Sequence, residues 1–180
     1  MKLKSYFAFA AQTWMLATTF VLTLVFVLGV FPFLPVGGEL LDYKPSYSHE
    51  EAMAAMEEYG NRGRRVYAWA SPTLDTLFPL VYVSFFAGLI YRCRPTERFW
   101  WLAFAPVAAG IVDLAENAQI TLMLIQYPDV SPGQAAAASA FTQLKALVGP
   151  VYQFMALALL VLASGRWLVR RSRRSSSGDS

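Results

Sequence analysis

Four long runs of apolar residues alternate with shorter polar segments along the chain. A helix needs about 20 predominantly apolar residues to cross the hydrocarbon core of a membrane. The runs therefore predict membrane spans over residues 8–34, 71–91, 99–125 and 141–163. The pattern predicts an all-α fold, an integral membrane four-helix bundle that occupies residues 1–165 as one transmembrane domain.

A short amphipathic helix is predicted inside the first outer loop, which covers residues 35–70. Ser48 and Glu51 have the spacing of a capping box, so the helix starts after Ser48 and ends just before Gly60. A helix of this kind either lies on the membrane surface or covers the mouth of the bundle. Gly60 and Gly63 are candidate hinges for such a movement.

The composition agrees with a membrane protein, since 56% of the 180 residues are hydrophobic and only 15% are charged. Basic residues are concentrated on one side of the predicted bundle, and loops rich in Lys and Arg normally stay in the cytoplasm. Both termini are therefore predicted to be cytoplasmic, with the protein in a cytoplasmic or inner membrane. Residues 166–180 form a basic tail that is predicted to be disordered. The basic residues of this side are Lys2, Lys4, Arg92, Arg94, Arg98, Arg166, Arg170, Arg171, Arg173 and Arg174.

The third predicted span contains an unusual group of polar residues near its middle. Asp113, Glu116 and Asn117 lie at positions i, i+3 and i+4, so they share one face of a helix. Ionisable groups at membrane depth are costly and normally face a bundle interior or a water-filled cavity. We therefore expect this face to point into the bundle.

Polar residues of the neighbouring spans are predicted to join this group because they reach a similar depth. Asp75 and Lys145 lie near the outer ends of the second and fourth spans, and Tyr82 follows Asp75 on the same helix face. The predicted binding residues are Asp75, Asp113, Glu116, Asn117, Lys145, Tyr82 and Gln153, with Arg64 and Arg65 just before the second span. Pro79, Pro106 and Pro150 are each expected to free a backbone carbonyl in this region.

The charges of this group do not balance. Asp75, Asp113 and Glu116 carry three negative charges when ionised, and Lys145 supplies one positive charge. Buried charge needs compensation, which could come from protonation, from Arg64 or Arg65, or from a bound cation. Carboxylate ligands suit a divalent cation such as Mg²⁺ or Ca²⁺, so Asp75, Asp113 and Glu116 form a tentative metal site. The sequence has no haem, flavin or nucleotide signature.

Three functions remain open from the sequence. The first is a binding or transport-type membrane protein whose outward-facing acidic pocket holds a cation, a proton or a cationic headgroup. The second is an enzyme that acts on a lipid-borne substrate at the outer leaflet, with Arg64 and Arg65 holding a phosphate. The third is a structural or assembly partner whose polar residues only pair helices.

The predicted partners are membrane lipids, together with a second copy of the chain or another membrane protein. Nucleic acid is not expected, because a membrane flank explains the basic residues. The single cysteine, Cys93, excludes a redox mechanism that needs two cysteines in one chain.

Overall fold

The computed structural model describes residues 3–176, with side chains as far as residue 172. Within this part of the chain the secondary structure is entirely helical, and the predicted all-α, four-span architecture is confirmed. The four helical segments long and apolar enough to cross a membrane are span 1, Thr13–Phe33, span 2, Gly60–Cys93, span 3, Glu97–Gln126, and span 4, Pro132–Ser172. A loop helix, His49–Glu58, lies between spans 1 and 2.

Span 2 is the central helix of the bundle, because it packs against each of the other three spans. Span 3 also packs against span 4, whereas span 1 packs mainly on span 2. Large apolar side chains such as Leu28, Leu147 and Phe154 remain exposed on the outside of the bundle. In a membrane these side chains contact lipid. We call the end of the bundle with the loop helix the loop end.

Span 1 is less regular than the continuous helix predicted over residues 8–34. A separate helix, Leu3–Ala10, precedes it, and the chain is extended at Gln12. Span 1 then changes from an α-helix to a π-helical segment, Val25–Val30, and ends in a short 3₁₀ turn. A hydrogen bond from span 2 stabilises the break near Gln12, since Arg92 donates to the Thr13 hydroxyl at 2.9 Å.

The loop helix starts at the predicted capping box. The Ser48 hydroxyl accepts a hydrogen bond from the Glu51 backbone N–H, and the Glu51 carboxylate accepts one from the Ser48 N–H. Ala52 and Met56 are fully buried, so the helix packs onto the loop end of the bundle instead of lying apart on the membrane surface. Burial also raises the pKa of Tyr47 to about 12.

Two spans are longer than predicted. Span 2 begins at Gly60 and not at residue 71, because Gly60 has a φ of 60° and lets the chain turn directly from one helix into the next. The helix of span 4 begins at Pro132 and continues to Ser176. Most of the tail predicted to be disordered is therefore helical, and residues 177–180 lie outside the described part. Arginine is a good helix former, so a polar helix can extend past the membrane.

Gly63 allows the loop to pack closely against the start of span 2. A Cβ atom at this position would lie 1.8 Å from the Val36 carbonyl oxygen, which is backbone and cannot rotate away. Gly63 is therefore required for close packing of the loop against span 2. Its φ is not positive, so its backbone conformation does not indicate a hinge.

We expect Gly63→Ala to destabilise the protein by about 1–3 kcal/mol, because the new methyl group overpacks this contact. Thermal unfolding of the full chain in detergent measures the effect. Gly133→Ala is the matched control, since its added Cβ meets only the Ser131 hydroxyl at 3.9 Å. Equal melting temperatures for the two variants would contradict the proposed contact.

Candidate functional site

Pro79 creates a gap in the backbone hydrogen bonding of span 2 that a residue of span 3 fills. Proline has no N–H, so the carbonyl four residues earlier, that of Asp75, loses its helical partner. The Asn117 side-chain amide donates to this carbonyl at 2.6 Å. In return, the Ser71 hydroxyl donates to the Asn117 carbonyl at 3.1 Å. The predicted free carbonyl at Pro79 is thus present, and Asn117 joins spans 2 and 3 through it.

The other two prolines behave differently. Pro106 lies in the first turn of the α-helix Phe104–Gln126, where a missing N–H leaves no carbonyl unpaired. The prediction that Pro106 frees a backbone carbonyl near the polar residues of span 3 is therefore not supported. Pro150 lies inside the helix of span 4 on an exposed face.

We expect Asn117→Leu to destabilise the protein by about 1–3 kcal/mol, because it leaves the Asp75 carbonyl buried without a donor. Gln126→Leu is the control, since it removes an exposed amide from the same helix. The measurement is thermal unfolding of both variants in detergent. An Asn117 variant as stable as the Gln126 variant would show that this hydrogen bond contributes little.

Lys145 of span 4 forms ion pairs with two carboxylates of span 3. Its ammonium nitrogen lies 3.5 Å from Asp113 Oδ1 and also contacts Glu116 Oε2. The Tyr82 hydroxyl of span 2 donates to Asp113 Oδ2 at 3.0 Å. Glu116 is completely buried, so Lys145 is its main source of charge compensation. We call Asp113, Glu116 and Lys145 the ionic triad; with Tyr82 it ties three spans together.

We expect Lys145→Met to destabilise the bundle by about 3–5 kcal/mol, because it leaves buried carboxylates without a counter-ion. Adding Glu116→Gln to this variant should recover part of the loss, since the double variant contains one fewer uncompensated charge. Thermal unfolding of the two variants provides the comparison. A double variant no more stable than Lys145→Met would mean that the triad is not electrostatically coupled.

A cavity of about 620 Å³ lies beside the ionic triad, within the bundle. All four spans and the loop contribute to its wall. The residues that line it are Thr23, Val27, Phe31, Asp42, Tyr43, Asp75, Phe78, Tyr82, Phe86, Ala109, Asp113, Asn117, Lys145, Gly149, Tyr152 and Gln153. Six of the predicted binding residues therefore meet at one cavity: Asp75, Asp113, Asn117, Lys145, Tyr82 and Gln153. Glu116 is not among the lining residues and contacts Lys145 from a fully buried position.

Asp75 differs from the two acidic members of the triad. Its side chain is buried within the protein and lines the cavity. Over residues 3–172, no side chain or backbone group forms a hydrogen bond or ion pair with its carboxylate. The nearby Asn117 amide bonds to the Asp75 backbone and not to its side chain. The carboxylate is therefore available to whatever occupies the cavity.

The loop adds an acidic residue that the sequence did not identify. Asp42 lies in a short 3₁₀ helix, Leu41–Tyr43, and lines the cavity together with Tyr43. The Tyr67 hydroxyl of span 2 donates to Asp42 Oδ1 at 2.6 Å and fixes its position. In the sequence, Asp42 is simply an acidic residue next to Leu41, which is buried in the structure. This pattern does not indicate that the loop folds towards the cavity.

Arg64 and Arg65 do not line the cavity. Arg64 donates to the Met56 carbonyl at 2.6 Å, and its guanidinium lies 4.1 Å from the centre of the Tyr127 ring. Arg65 is exposed. The extension of span 2 to Gly60 explains both positions, because it places these residues within a helix, close to the loop helix. Neither arginine compensates the acidic cavity residues directly.

The described residues contain no group of three or more His, Cys, Asp or Glu side chains that could hold a metal ion. The tentative divalent site on Asp75, Asp113 and Glu116 therefore receives no support from the geometry, and Lys145 already contacts two of these carboxylates.

Comparisons of the chain with protein-family models, with curated proteins and with solved structures find no match.

Proposed function

We propose that the protein is a binding or transport-type membrane protein whose cavity holds a small organic cation. The observation that carries this proposal is the Asp75 carboxylate, which lines the cavity without a hydrogen-bond or ion-pair partner in the described chain. A buried carboxylate is costly unless it is paired or protonated, so a bound cation would stabilise it.

The balance of charge around the cavity supports a cationic ligand. The cavity and the ionic triad beside it together contain four carboxyl groups, those of Asp42, Asp75, Asp113 and Glu116, and one ammonium group, that of Lys145. The ionic triad engages Lys145 with two of the four, and Tyr67 donates a neutral hydrogen bond to Asp42. Asp75 is thus the group with the least local compensation.

The size of the cavity favours an organic cation over a single inorganic ion. A volume of about 620 Å³ lies within the roughly 300–1,000 Å³ range of small-molecule sites. A water-sized ion needs only about 30 Å³. An inorganic cation would leave most of the cavity to water or empty.

The two rival functions explain these features less well. A helix-pairing role accounts for the ionic triad, but it gives no reason for a cavity beside it with an unpaired carboxylate. An enzyme of the predicted type needs arginines at the cavity to hold a phosphate, and Arg64 and Arg65 lie elsewhere. With the orientation that the basic residues predict, the cavity would face the outer half of the membrane.

We expect methylammonium chloride to raise the melting temperature of the detergent-solubilised protein relative to sodium chloride at the same ionic strength. A ligand at 100 times its dissociation constant stabilises the native state by about 2.7 kcal/mol. Asp75→Asn should abolish the shift, because it removes the unpaired charge. Asp129→Asn, which removes an exposed carboxylate outside the cavity, should retain it.

Magnesium and calcium chlorides form a third arm of this experiment. A larger shift with either divalent cation than with methylammonium, lost in Asp75→Asn, would favour a metal site and contradict the organic ligand. The absence of any cation-specific shift in the unaltered protein would refute the proposed function.

A further inference from the structure

The two sides of the cavity differ in chemistry. Span 1 contributes Thr23, Val27 and Phe31, and span 2 adds the rings of Phe78 and Phe86, so this side is mainly apolar. The other lining residues include Asp42 of the loop, Asp75 of span 2, Asp113 of span 3 and the ionic triad's Lys145, so the cavity also has a charged part. A ligand that fills both parts has a charged group at one end and a hydrocarbon part at the other.

We infer that the cavity opens to the membrane-facing surface between spans 1 and 4. Val27 of span 1 and Gln153 of span 4 both line the cavity, and both are exposed. Span 1 is fixed to span 2 by ring contacts, Phe20 with Phe85 and Phe26 with Phe78, and it does not pack closely against span 4. We call the opening between Val27 and Gln153 the lateral opening.

Aromatic rings near Asp75 suit an ammonium group. The rings of Phe78 and Tyr82 lie 5.1 Å apart, and those of Tyr82 and Tyr152 stack at 6.0 Å. All three rings line the cavity. The faces of aromatic rings attract ammonium ions, and the attraction grows where water is excluded. Asp75 would supply the opposite charge.

The cavity is poorly suited to a phosphate group. Lys145, the one basic residue among its described lining residues, is already held by Asp113 and Glu116. A phosphate in the cavity would therefore meet carboxylates without a free cation. This disfavours a zwitterionic phospholipid headgroup in the cavity and favours an amine without a neighbouring anion.

From these features we propose that the ligand is an amphiphilic amine dissolved in the membrane, whose hydrocarbon chain occupies the lateral opening. Its ammonium group binds at Asp75, and its hydrocarbon chain lies along Val27 and Phe31 and extends towards the lipid. The inference rests on the cation site proposed above and adds the class of ligand and the position of its chain.

The test measures binding to the full-length protein in phosphatidylcholine nanodiscs by thermal shift, with three probes. Dodecylammonium carries both the charge and the chain, methylammonium carries only the charge, and dodecanol carries only the chain. We expect dodecylammonium to bind at least tenfold more tightly than either of the others. Asp75→Asn should remove this advantage over dodecanol.

Val27→Trp tests the placement of the chain, because a large ring at this position fills the space at the lateral opening that the hydrocarbon chain would occupy. It should weaken dodecylammonium binding at least tenfold, and a cooperative unfolding transition without ligand shows that the variant is folded. Leu28→Trp is the matched control, since Leu28 is 67% exposed and does not line the cavity. If Val27→Trp does not fold, Gly149→Leu narrows the opening from span 4, where an added Cβ meets nothing within 4 Å.

The outcomes separate this inference from the proposed function. Equal affinity for dodecylammonium and methylammonium, or unchanged dodecylammonium binding in Val27→Trp, would overturn the amphiphile and leave the cation site intact. Equal affinity for dodecanol and dodecylammonium would show that the amine is not recognised and would also overturn it. If neither amine binds to the unaltered protein, both proposals fail.

Discussion

The placement of several carboxyl groups inside a bundle of apolar helices is the constraint on which this structure depends. Charge in a low-dielectric interior must be paired, and the pairing here crosses between helices. Lys145 of span 4 meets Asp113 and Glu116 of span 3, while Tyr82 of span 2 donates to Asp113. The ionic triad therefore fixes the relative depth of three spans as well as balancing charge.

Backbone hydrogen bonding obeys the same requirement. Pro79 leaves a carbonyl unpaired at a depth where water is scarce, and Asn117 of the neighbouring span satisfies it. Asn117 is predicted from the sequence to be a binding residue, but its side-chain amide is used in this hydrogen bond between spans 2 and 3. Among the described residues, Asp75 is the exception to this pairing, and it is the residue at which we propose that a ligand binds.

Span 1 stands apart from the other three spans in packing and regularity. It contacts span 2 through aromatic rings, changes to a π-helical segment at Val25–Val30, and leaves space on its side towards span 4. Short π-helical segments are frequent at functional sites, because they redirect side chains within a helix. Here Val27, within that segment, lines the cavity.

The sequence by itself determined the number of spans, the capping box of the loop helix and six residues that line one cavity, because hydrophobic length and helical periodicity are local properties. Only the tertiary structure decided how the loop folds over the bundle end. In the folded protein Asp42 lies at the cavity, Arg64 contacts the loop helix instead, and span 2 begins at Gly60. These outcomes depend on contacts between segments distant in the chain, which residue spacing does not encode. The same reason explains why Lys145 pairs with Glu116 while the Asp75 carboxylate has no partner within residues 3–172.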